Sequence, residues 1–101
     1  MSIEVTEHED AGRYEVRVDG RLAGFADRTV RNGLMVLPHT VVDRAYRGRG
    51  LAAELVRRAL GDARDRGLGV IPSCWYVAQY IGANPTEIDL VPEDQRTRFG
   101  L

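Results

Sequence analysis

The chain has 101 residues, with 14 basic against 15 acidic side chains and a formal net charge of −1. Every basic residue is an arginine, so lysine Schiff-base chemistry and a Walker A phosphate loop, which both need lysine, are excluded. A single cysteine excludes an internal disulfide and a CxxC zinc site, and the near-neutral balance argues against a nucleic-acid-binding domain.

A composition of 44% hydrophobic and 29% charged residues predicts one globular domain over residues 1–101, with a looser tail from about residue 93 to 101. No apolar run reaches the roughly 18 residues a membrane span needs. The acidic start, Met1 to Gly12, has no apolar signal-peptide region, and with a free thiol this predicts a cytoplasmic protein.

The first third reads as strands. Ile3 and Val5, then Tyr14, Val16 and Val18, alternate with period two. Asp19-Gly20 is a hairpin signal before Leu22–Ala26, and Asn32-Gly33 a second one before the run Leu34–Val42. Pro38 interrupts that run and predicts an edge position, a bulge or a splay, because proline donates no ladder hydrogen bond. About four antiparallel strands are expected.

The period then changes. Leu51, Ala52, Leu55, Val56, Ala59, Leu60 and Ala63 form one helical stripe, with Arg57, Arg58, Arg64 and Arg66 on the other face and Gly67 as the stop. Leu68, Val70 and Ile71 form a short strand closed by Pro72. Ser73 is the expected N-cap of a second helix, Cys74 to Ala83, ended by Pro85. The order ββββ-α-β-α predicts an α+β fold, helices packed on a mostly antiparallel sheet.

Charge is uneven along this order. Residues 1–20 carry six acids and two arginines, whereas residues 43–66 carry seven arginines and four acids. The basic segment centres on Arg44-Ala45-Tyr46-Arg47-Gly48-Arg49-Gly50-Leu51-Ala52, between a strand and the main helix. No capping side chain stands at this helix start, so backbone N–H groups are free and the dipole favours an anion. Glycines let backbone approach a ligand, and forked arginine donors match phosphate. A diphosphate suits such converging donors better than a carboxylate. The dinucleotide fingerprint GxGxxG is not met, because Ala53 replaces the third glycine and no βαβ unit with parallel strands is expected here.

The segment Arg47 to Ala52 resembles the acyl-CoA-binding motif R/Q-x-x-G-x-G/A of the GCN5-related N-acetyltransferases, with Arg47, Gly50 and Ala52 at its defined positions. Pro38-His39-Thr40, the RGRG turn and Pro72-Ser73-Cys74-Trp75-Tyr76-Val77-Ala78-Gln79-Tyr80-Ile81, followed by Pro85, extend the likeness over about residues 35–91. They are similar to a subgroup of roughly 90–110 residues. The resemblance implies a reduced acyl-CoA N-acyltransferase fold that binds acetyl-CoA. Thr40, Val41 and Val42 would hold the pantetheine arm, and Arg47, Gly48, Arg49, Gly50, Leu51 and Ala52 the diphosphate. It implies transfer of acetyl to a primary amine of a small molecule or protein.

Cys74 lies in the first turn of the second helix, where the dipole and free N–H groups favour a thiolate. It is a candidate nucleophile that would carry the acetyl group; the alternatives are a buried small hydrophobe or a wall of the thioester channel. His39 is the candidate general base, histidine being the side chain that changes charge near neutral pH; a structural histidine is the alternative. Larger members place a tyrosine near the leaving thiolate. Aligned from Cys74, that position is Ile81, with Tyr80 beside it. Trp75 would wall the acyl pocket or cover the core, and Asn84 would end the helix. The short chain leaves few residues for an acceptor site, so a homodimer or a partner protein would complete it. A non-catalytic CoA-binding or protein-interaction module on the same fold is the alternative function. RNA binding by the Arg44–Arg66 surface ranks lowest, because no aromatic platform accompanies those arginines.

Overall fold

Two tight turns set the register of the N-terminal half. Asp19 and Gly20 sit at φ of 50° and 84°, and Asn32 and Gly33 at 52° and 75°. Positive φ at both central residues makes these the mirror-image turns whose twist matches paired strands. The computed structural model describes residues 1–101. Its strands are β1 (Ile3–His8), β2 (Arg13–Val18), β3 (Arg21–Asp27), β4 (Thr29–Arg31), β5 (Leu34–Val36), β6 (Thr40–Val42) and β7 (Gly69–Ile71). Its helices are α1 (Leu51–Asp65) and α2 (Trp75–Ala83).

The strands form two sheets, ordered β1-β2-β3-β6 and β4-β5-β7. The expected α+β class holds, with six strands before α1 rather than four. The run Leu34–Val42 is divided at Leu37-Pro38-His39. Its first half pairs with β4 and β7, its second half with β3. Of the three outcomes open to Pro38, the splay is the one realised. The β5–β7 pair is parallel, so strand, helix and parallel strand do surround the glycine turn. That corrects the reading that no such unit is present. The antiparallel hairpins were legible locally; a parallel pairing of residues 35 positions apart, such as Met35 with Val70, was not.

Alternation along β2 sends Tyr14, Val16 and Val18 to one face, all buried. The stripe of α1 buries Leu51, Leu55, Val56, Ala59, Leu60 and Ala63. These join one cluster of 19 buried residues that includes Met35, Leu37, Val70, Val77, Ile81 and Val91. Removing a leucine side chain such as Leu55 from water contributes about 1.5–3 kcal/mol.

Helix α1 ends as its sequence dictates. Gly67 takes φ 67°, its N–H donates to the Arg64 carbonyl at 3.2 Å, and the Leu68 N–H donates to the Ala63 carbonyl at 2.8 Å. This is the paired 5→2 and 6→1 closure that glycine permits. The cap of α2 is displaced by one residue. Cys74, not Ser73, is the N-cap, in extended conformation and without a side-chain bond, because its N–H is held by the Leu37 carbonyl at 2.9 Å.

Glu15 is buried on the face of β2 opposite the core, and it is surrounded. Arg13 donates to it at 2.9 and 2.7 Å and Arg17 at 2.8 Å, and His8 lies 3.1 Å away. The Arg13 contact holds its carboxyl below the usual range. Tyr14 donates to Asp62 at 2.9 Å, and burial followed by that acceptor pushes its phenol up. The tail turns back on the fold: Arg96 Nε donates to the Val91 carbonyl at 3.0 Å and the Leu101 N–H to the Arg96 carbonyl at 2.9 Å.

Candidate active site

The glycine turn enters α1 with Gly48 at φ 81° and Gly50 at φ 74°. Gly50 is the N-cap and gives no side-chain bond. The first α1 bond is Glu54 N–H to the Gly50 carbonyl, at 3.2 Å. The six N–H groups of Gly48 to Ala53 therefore find no acceptor within the protein. Successive free N–H groups around left-handed residues form a concave anion site, and the dipole of a 15-residue helix adds to it. None of Arg44, Arg47 and Arg49 makes an ion pair with a carboxylate. Asp43 is occupied instead in capping the Arg44–Tyr46 turn, accepting from Ala45 N–H at 2.8 Å. Arg49 lies over the Tyr46 ring at 5.3 Å.

A cavity of about 160 Å³ at this turn is lined by Val42, Tyr46, Arg47, Gly48, Gly50, Leu51 and Ala52. It shares Val42, Arg47 and Ala52 with a second cavity of about 290 Å³ that reaches Thr40, Val41, Cys74, Trp75 and Tyr76. The two form one groove running from the N-terminus of α1 to that of α2. Its wall is β6, whose partner strand lies on one edge only. Asp27 N–H donates to the His39 carbonyl and Asp43 N–H to the Ala23 carbonyl. Antiparallel alternation therefore turns the backbone groups of Thr40 and Val42 toward the open edge. Gly24 permits β6 to lie so close to β3, since a Cβ there would meet the Val41 carbonyl oxygen at 2.5 Å.

Cys74 is 9% exposed, and its sulfur lies 3.8 Å from Thr40 Oγ1, across 34 positions of sequence. The amides of Trp75, Tyr76 and Val77, just beyond it, have no backbone acceptor. Thus Thr40, Val41, Val42, Arg47, Gly48, Gly50, Leu51, Ala52 and Cys74 are brought together, with Arg49 beside them on Tyr46. His39 is not among them. Its side chain is 73% exposed, 3.8 Å from Asp27, and it lines neither cavity. Tyr46 was missed; an aromatic one residue before an Arg-Gly turn was its only signal. Tyr76 stacks edge-on against Trp75 at 5.9 Å, and burial pushes its phenol up. Arg57 donates to Glu54 at 2.8 Å. Ile81 is fully buried, and Asn84 donates to the Tyr80 carbonyl at 2.8 Å, ending α2.

A strand that splays at a proline, a glycine-turned helix start and a groove between them make up the site. Residues 13–90 match the sequence profile of the GCN5-related N-acetyl-transferases. This chain belongs to that family. Protein NATD1 of Gallus gallus is 38% identical over 71 residues, which cover 64% of this chain and 64% of that protein. The match thus spans just under two thirds of the relative. A GCN5-like protein of Staphylococcus aureus shares the fold with a TM-score of 0.68 and 19% identity, over 88% of this chain and 87% of the other. The N-acetylglutamate synthase of Neisseria gonorrhoeae, solved with coenzyme A and N-acetyl-glutamate, aligns with 96% of this chain and 26% of its own, at a TM-score of 0.54 and 16% identity. No helix of this family member is long and apolar enough to cross a membrane.

Proposed function

We propose that this chain is an acetyl-CoA-dependent N-acetyltransferase acting on a primary amine. The observation that supports it most is the run of six unpartnered N–H groups from Gly48 to Ala53, opening on a groove that ends at Cys74. The residues present fit coenzyme A. Gly48 to Ala53, with Arg47 and Arg49, would hold the diphosphate, and the open edge of Thr40 and Val42 would pair with the pantetheine arm. When bound, acetyl-CoA supplies an activated acetyl thioester.

The rest of the chemistry falls to the protein. The free N–H of Thr40, the strand residue beside Cys74, is the donor for a carbonyl oxygen as it gains charge, which leaves the N–H of Val42 and the edge carbonyls to the pantetheine arm. Cys74 stands at the groove's inner end as an acetyl carrier. His39 lies outside the groove, 3.8 Å from Asp27, so it would take the proton of an amine at the open edge of β6 only through intervening water.

Calorimetry with CoA tests the cofactor assignment. Arg47→Gln with Arg49→Gln should weaken binding on the order of tenfold to a hundredfold, the scale of two charge-assisted contacts. Unchanged affinity would sink the diphosphate site. Mass spectrometry after incubation with acetyl-CoA should show an acetyl adduct on wild type and none on Cys74→Ala. Binding of CoA without turnover on any amine would instead identify a CoA-binding module.

A further inference from the structure

A second hollow of about 540 Å³ lies beside the groove, and the two share a single lining residue, Trp75. Trp75 follows Cys74 at the start of α2 and is 75% exposed. Leaving an indole in water forgoes the burial of a large apolar surface. Trp75 stands on the outward face of α2, where Gln79 and Gly82 are exposed as well, whereas Val77 and Ile81 on the inward face are buried.

The hollow is built by sequence spacing. Trp75, Ala78, Gln79 and Gly82 stand at i, i+3, i+4 and i+7, on one face of α2. Two small residues on that face leave room: a Cβ on Gly82 would already lie 3.6 Å from Leu101 Cδ2. The opposite wall is the returned tail, anchored through Arg96 to the Val91 carbonyl. It presents Phe99 and Arg98, whose guanidinium lies 5.2 Å over the Phe99 ring. Arg98 donates to Gln95 at 3.3 Å but forms no ion pair. No Asp or Glu side chain lines the hollow. Aromatic walls, one unpaired cation and no side-chain anion favour an apolar body bearing a negative group, and disfavour a polyamine.

We propose that this hollow binds the acetyl acceptor, and that the acceptor is a small amino carboxylate with an apolar side chain. Its carboxylate meets Arg98, its apolar body lies on Trp75 and Phe99, and its amine passes Trp75 to reach the Cys74 end of the groove. This inference rests on the N-acetyltransferase reading above.

Trp75 is the only tryptophan, so its emission reports on the hollow without turnover. CoA-free protein is titrated with phenylalanine, phenethylamine and spermidine. Phenylalanine should shift the emission saturably, and bind about fivefold or more tighter than phenethylamine, which lacks only the carboxylate; that is the scale of one exposed charge-assisted contact. Spermidine should not bind. Arg98→Gln should erase the preference, and Gly82→Leu should abolish binding while calorimetric affinity for CoA is kept. Equal binding of phenylalanine and phenethylamine to wild type, or preferred binding of spermidine, overturns the proposal without recourse to any variant. Normal CoA binding in that case leaves the acetyltransferase reading standing. Failure of wild type to bind CoA removes that reading, and the acceptor assignment with it.

Discussion

Replacing Gly24 by alanine tests whether the spacing of β3 and β6 shapes the groove. The new Cβ would sit 2.5 Å from the Val41 carbonyl oxygen and 3.1 Å from Val42 Cα. Both are backbone atoms of a paired strand, so no side chain can swing aside. Since real Cβ contacts do not fall below 3.0 Å, β6 must retreat by about 0.5 Å or more. Retreat strains the ladder at Phe25↔Val41 and moves Thr40 and Val42 into the groove. Overpacking of this kind costs about 2–3 kcal/mol, which for a domain of this length lowers Tm by roughly 10 °C. Gly61 is the internal control. It lies exposed in the middle of α1 and a Cβ there meets nothing within 4 Å, so Gly61→Ala should stabilise by about 0.5–1 kcal/mol. Urea unfolding of the two variants, with CoA calorimetry on each, reads both effects. A Gly24→Ala protein as stable as wild type, with unchanged CoA affinity, would refute the claim that close packing of β6 defines the site.

Other outcomes follow from single contacts. Tyr14→Phe removes the hydroxyl that donates to buried-side Asp62, and urea unfolding should show a loss of about 1 kcal/mol, because Arg58 still serves that carboxylate at 3.1 Å. Glu15 has a folded-state carboxyl held down by Arg13, so its stabilisation is fully present above the ordinary glutamate range and is lost as pH falls through its folded value. Urea midpoints of wild type and Glu15→Gln should therefore differ by a constant amount at neutral pH and converge in acid; a gap that widens in acid would contradict the assignment. Cys74→Ala should lower stability by about 1 kcal/mol or less while eliminating the acetyl adduct, measured by unfolding and mass spectrometry together. Gly67→Ala should cost about 1 kcal/mol by Tm, since φ 67° strains any residue with a Cβ.

Much of the fold was legible because its signals are local. Asp19-Gly20 and Asn32-Gly33 announce their turns through the φ values that only such residues reach cheaply, and the stripe from Leu51 to Ala63 announces α1 through its period. The N-cap of α2 was misread by one position for a non-local reason: Ser73 has the right chemistry, but the Leu37 carbonyl takes the Cys74 N–H and sets where the helix begins. His39 was singled out by its titration range, a property of the isolated side chain. Its exposure beside Asp27, outside the groove, depends on which way β6 faces.

The amino-acid sequence alone therefore determined the two helices, the turns at Asp19-Gly20 and Asn32-Gly33 and most of the strands, since each follows from contacts within a few residues; it did not reveal β4 or the division of Leu34–Val42. It also marked Pro38 as an edge position, a bulge or a splay, because proline cannot donate. Only the tertiary structure decided that the two halves of that broken strand join different sheets, one parallel to β7 and one beside β3. That division opens the edge of Thr40 and Val42, and it sets Cys74 within 3.8 Å of Thr40. Pairings across more than 30 residues are chosen by which closure buries the common core, and no local period encodes that choice.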